Sequence, residues 1–105
     1  MISKDKTARG FDLYHFTDKY QSECSLQKSS LATEDCIWLG VDDANPIILA
    51  RDATILGIPH NENCGWVKYS IPEEVSLSTR MHLTREMAGV LAEKLKVFSE
   101  TGELP

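Results

Sequence analysis

Up to about residue 83 the apolar side chains alternate with polar ones or cluster in short runs, and from Arg85 onward they recur every three or four positions. The first pattern belongs to strands and the second to a helix. Residues 11–16, Phe-Asp-Leu-Tyr-His-Phe, are rich in aromatics and predict a strand. The polar residues 18–21 suit a hairpin turn. Residues 23–27 then alternate, with Cys24 and Leu26 on one face, and predict an antiparallel second strand. Residues 36–41, Cys-Ile-Trp-Leu-Gly-Val, form a continuous apolar run of the kind found in a doubly covered central strand. Asn45-Pro46 ends that region as a turn signal. Residues 46–78 are the least regular, with a loop built on Gly57, Pro59 and Gly65 and a strand predicted over 66–71. Residues 79–83 predict a last strand.

Thr84 then has the character of an N-cap, since its hydroxyl can accept a free N–H of the first helical turn, and Glu86 suits the positive end of the helix dipole. Met87, Val90, Leu91, Lys94, Leu95 and Phe98 fall on one helical face, and Gly102 supplies the residue at which a helix stops. The fold class predicted is α+β: an antiparallel sheet of four to five strands with one C-terminal α-helix packed across a face. Residues 1–9, polar and aperiodic, are expected to be a flexible N-terminal arm, and residues 10–105 a single domain.

Composition narrows the functional classes. The chain of 105 residues carries 16 acidic and 11 basic side chains, a net charge of -5. The lysines and arginines are scattered and lack interleaved stacking aromatics, so nucleic-acid binding is not expected. No apolar stretch is long enough for a membrane span, and the N-terminus lacks the apolar region of a secretory leader. Three cysteines, Cys24, Cys36 and Cys64, make an odd count that argues against a disulfide framework and for reduced thiols in a cytoplasm.

Motifs for chemistry are sparse. His60 and Cys64 place two metal-ligand types four residues apart, but a zinc site needs two more ligands, so they are only a fallback pair and no cofactor is expected. No Gly-x-Ser-x-Gly, Walker or Gly-x-Gly-x-x-Gly pattern occurs. Pairing of a cysteine with His15 or His82 stays open. Two segments instead suit recognition of a protein partner. One is residues 29–35, where Ser29, Ser30, Thr33, Glu34 and Asp35 put hydroxyls and carboxylates between two strands. The other is residues 57–69, where Trp66 and Tyr69 offer aromatic anchors if exposed. The apolar residues at 47–49 and 53–58 exceed what one short helix needs, which points to a homodimer as one further use of surface.

The stretch from Glu23 through Cys24-Ser-Leu-Gln-Lys-Ser-Ser-Leu-Ala-Thr-Glu-Asp-Cys-Ile-Trp-Leu to Gly40, together with Arg80-Met-His-Leu-Thr-Arg-Glu-Met and residues 98–104, resembles a group of small proteins encoded by bacteriophages and prophages. The resemblance covers both ends of the chain and not residues 43–78. It implies a phage accessory protein in the bacterial cytoplasm that binds and inhibits a host or defence protein without being an enzyme, as anti-CRISPR proteins do. The alternative is a small-ligand domain that takes a nucleotide signal or a metal.

Overall fold

The computed structural model describes residues 2–105; Met1 lies outside them. The chain forms two compact units, one running up to Asp42 and resuming over Thr79–Pro105, the other spanning Asp43–Ser78. The single domain expected over 10–105 is corrected accordingly: the irregular stretch has its own small core.

The first unit is α+β. Strands β1 (Ser3–Lys6), β2 (Asp12–Thr17), β3 (Glu23–Lys28), β4 (Cys36–Val41) and β7 (Arg80–Thr84) make one five-stranded antiparallel sheet in the order β1-β2-β3-β4-β7. The 18–21 turn forms as predicted. Asp18 is an acceptor for the backbone N–H groups of Tyr20 and Ser22, both at 2.9 Å, which frees the chain to reverse. Strand β1 overturns the expected flexible arm. Its register with β2, Lys4 opposite Tyr14, makes it the outer strand, and all four of its residues are exposed. An edge strand needs no apolar side chains, so it carries no periodicity to read.

Strand alternation gives this sheet two unlike faces. Tyr14, Phe16, Cys24, Leu26, Ile37, Leu39, Val41, Met81 and Leu83 share one of them, by the pairings Phe16–Cys24–Val41 and Tyr14–Leu26–Leu39–Met81. Gln27, Trp38 and His82 lie in one row across the other, with Ser25, Gly40 and Arg80 in the next. Gly40 cannot be replaced there: a Cβ would stand 2.5 Å from the Thr79 carbonyl oxygen, at a φ of +154°.

Helix α2 (Arg85–Thr101) leaves β7 without a loop. Thr84 is both the last strand residue and the N-cap, its hydroxyl accepting from the Met87 N–H at 3.2 Å, and Gly102 closes the helix in the left-handed conformation. The helix packs against the sheet at β7, where Ala88 lines a cavity of about 310 Å³ with Ile37 and Leu83. Ala88 and Leu91 are half-buried, but Met87, Val90, Leu95 and Phe98 remain 50–55% exposed.

In the second unit β5 (Ile47–Leu49) pairs antiparallel with β6 (Trp66–Lys68), and helix α1 (Ala50–Ile55) follows β5 directly. Ala50, Ala53 and Val67 form its core, with Ile48 and Ile58 against them. The strand predicted over 66–71 is present for its first three residues only.

Candidate interaction surfaces

The polar face of the large sheet holds the most organised side-chain cluster. Trp38 and His82 stand opposite each other on β4 and β7, and their rings stack at 3.9 Å with an interplanar angle of 9°. The Arg80 guanidinium lies 5.6 Å from the Trp38 ring and donates to Gln27 Oε1 at 2.8 Å. His82 Nε2 meets Ser29 Oγ at 3.0 Å, and Ser29 Oγ also accepts from the Leu31 N–H at 3.2 Å. A serine and a histidine at that spacing are the first two parts of an acyl-transfer dyad. Ser29, however, is only 4% exposed. No carboxylate is among the hydrogen-bond partners of His82, which bonds to Ser29 alone. The pair therefore acts as an anchor that ties the start of the 29–35 loop to β7.

That geometry sorts the expected contact residues. Ser29 is buried and leaves the set of surface candidates, its hydroxyl already committed. Ser30, Thr33, Glu34 and Asp35 are exposed on the loop it anchors, with Asp35 accepting from Lys28 Nζ at 3.2 Å. In the second unit, Trp66 is 62% exposed and Tyr69 37%. Val67 between them points into the core, so alternation along β6 directs Trp66 outward. The Tyr69 N–H donates to the Pro46 carbonyl at 2.9 Å, fixing the backbone just beyond β6. Ile55 and Leu56, at the end of α1, are 78% and 64% exposed.

Cys24 lies on the apolar face and His15 on the other, because Phe16 and not His15 is the residue opposite Cys24. Burial pushes the Cys24 thiol up, and the Asp18 and Asp42 carboxylates act in the same direction, so thiolate is disfavoured. Cys36 is buried and Cys64 exposed. Among the described residues the fallback pair of His60 and Cys64 is not part of any group of three metal-ligand side chains. His60 Nδ1 accepts from the Glu62 N–H at 3.2 Å, which leaves Nε2 to donate to Thr54 Oγ1 at 2.7 Å. Thr54 Oγ1 in turn donates to the Ala50 carbonyl at 3.1 Å, so the imidazole closes the 57–62 loop onto α1. Among the described residues no three histidine, cysteine or carboxylate side chains cluster around a point that could hold a metal, and no helix is long and apolar enough to cross a membrane.

Sequence reasoning missed the Trp38–His82–Arg80–Gln27 cluster. The signal was present as polar residues at alternate positions of otherwise apolar strands, but their mutual contact depends on register. No family model matches the sequence, and no curated protein and no solved structure matches the chain.

Proposed function

We propose that the protein is a non-enzymatic binding protein of phage type that inhibits a bacterial host or defence complex in the cytoplasm by occupying a protein surface. The observation that carries this reading is Trp66, 62% exposed on a strand whose next residue is core. A buried indole contributes on the order of 150–250 Å² to an interface, and tryptophan and tyrosine are favoured among the residues that dominate binding energy. Most of this side chain is left in water, free to be covered by a partner. The Glu34 and Asp35 carboxylates, on an anchored and exposed loop, supply a second surface with charge for selecting a partner.

The test is capture of a protein from bacterial lysate by the tagged chain, followed by the same capture with Trp66→Ala/Tyr69→Ala and with Glu34→Lys/Asp35→Lys. Both variants should fold, as these side chains are exposed. Loss of the two aromatics should weaken binding about ten- to hundred-fold or more, equivalent to about 1.4–2.8 kcal/mol. A chain that captures no protein but gains thermal stability with a nucleotide would overturn the reading in favour of a small-ligand domain.

A further inference from the structure

Helix α2 presents an apolar stripe that its own sheet leaves open. Met87, Val90, Leu95 and Phe98 are each 50–55% exposed, and the helix has no buried residue. The reason is the joint. With Thr84 serving as strand end and N-cap together, the helix meets the sheet only near β7, while its 17 residues extend roughly 25 Å. The stripe therefore needs a cover from outside the unit.

We infer that this cover is a second copy of the chain, with the two α2 helices packed antiparallel about a two-fold axis. Two observations select that occupant. The first is area. The four exposed side chains and Leu91 leave on the order of 400 Å² of apolar surface. A standard interface takes roughly 800 Å² from each partner, about 56–65% of it non-polar, so the stripe nearly supplies the apolar share of one side. The second is self-complementarity. The stripe Met87, Val90, Leu91, Lys94, Leu95, Phe98 has steps of three, one, three, one and three, and reads the same from either end. An antiparallel pair centred on the stripe therefore sets each of its positions against another position of the same stripe.

In that pairing Met87 of one copy meets Phe98 of the second, a thioether against an aromatic edge. Val90 meets Leu95, one step out from the pair that flanks the axis. Leu91 meets Lys94, whose methylene stem covers the leucine while its ammonium reaches water. Lys94 also fixes the register, because the antiparallel alignment that would place it opposite its own copy sets two ammonium groups against each other.

The test uses the full chain. Its solution mass, by light scattering on a sizing column, should be twice 11.8 kDa. Val90→Glu with Leu95→Glu should leave the circular dichroism unchanged, since both side chains are already exposed in the single chain, and should weaken self-association at least about a hundred-fold. A monomeric parent, or a double-glutamate variant that stays dimeric, overturns the inference. Orientation has its own readout. On a Cys64→Ser background, a mixture of Met87→Cys and Phe98→Cys chains should oxidise to the mixed disulfide, whereas Met87→Cys chains bridging to one another at equal yield would overturn the antiparallel arrangement. None of these substitutions touches Trp66 or Tyr69, so failure here and failure of partner capture are told apart.

Discussion

The two helices leave their strands in the same way and end with opposite degrees of cover. Leu49 and Thr84 are each the last residue of a strand and the N-cap of the following helix, and both sit in extended backbone. Helix α1 has six residues and buries two of them, Ala50 at 2% and Ala53 at 0% exposure. Helix α2 has 17 and buries none. At 1.5 Å per residue α1 is only about 9 Å long, and its small alanines pack directly on Val67 of β6. Helix α2 keeps Ala88 and Leu91 half-buried, then carries larger apolar residues beyond reach of the sheet. Length past the joint is thus surface made available to something else.

Four measurements sharpen or break that contrast. Ala53→Leu should have the largest effect, since added methylenes have no room at a fully buried site: about 1–3 kcal/mol lost in urea denaturation. The matching change on the exposed side of α2, Ala92→Leu, should stay within about 0.5 kcal/mol. Equal losses at the two positions would mean the helices are covered alike. Leu91→Ala comes next, at about 1–2 kcal/mol measured at low protein concentration, below the about 2–5 kcal/mol of a fully buried leucine because the side chain is only half-covered. Thr84→Ala should then lose about 1 kcal/mol, the usual effect of removing a capping hydroxyl, read as a lower denaturation midpoint with unchanged slope. The smallest effect belongs to Asp12, on β2. Lys6 Nζ donates to it at 2.7 Å and holds its carboxyl below the ordinary value of 3.8, with Lys4 adding to the field. A depressed carboxylate contributes stability that is present above pH 3.8 and is lost as pH falls through the lower folded value. Asp12→Asn should therefore separate slightly from the parent near neutral pH and converge with it in acid; a gap that persists in acid would show that the pair is not its source. Because both groups are exposed, the separation should shrink with added salt.

Most of the large sheet was legible because its apolar side chains either alternate, as in 23–27, or run together, as in 36–41. Residues 36–41 match β4 from first to last, 23–27 match β3 to within one residue, and Thr84 and Gly102 cap the helix in the two conformations their side chains favour. Where no face is buried, no period exists. Ser3-Lys4-Asp5-Lys6 is a strand by partnership with β2 alone, so nothing in its own residues announces it. Helix α1 was hidden for another reason. Six residues span fewer than two turns, too few for a 3.6-residue repeat to separate from an apolar run. The contact surfaces were half legible. Turn-rich composition marked the 29–35 and 57–69 segments, but the outward direction of Trp66 and the inward one of Ser29 follow from pairings with Leu49 and His82, which lie distant in sequence.

The charged outer strand has a consequence for how far assembly can go. A sheet with one largely apolar face and an unpaired edge is a template on which further chains can add in line, giving fibres and insoluble protein in place of a counted complex. Lys4 and Lys6 project from β1 on the same side as Tyr14, at the border of the apolar face, and a copy docking its β1 antiparallel on this β1, apolar face to apolar face, would bring ammonium groups together. The strand that looked like a featureless leader thereby works as a terminator of growth. Lys4→Val with Lys6→Val would preserve the fold and raise the tendency to precipitate, a cost visible in expression yield before it is visible in any property of the folded chain.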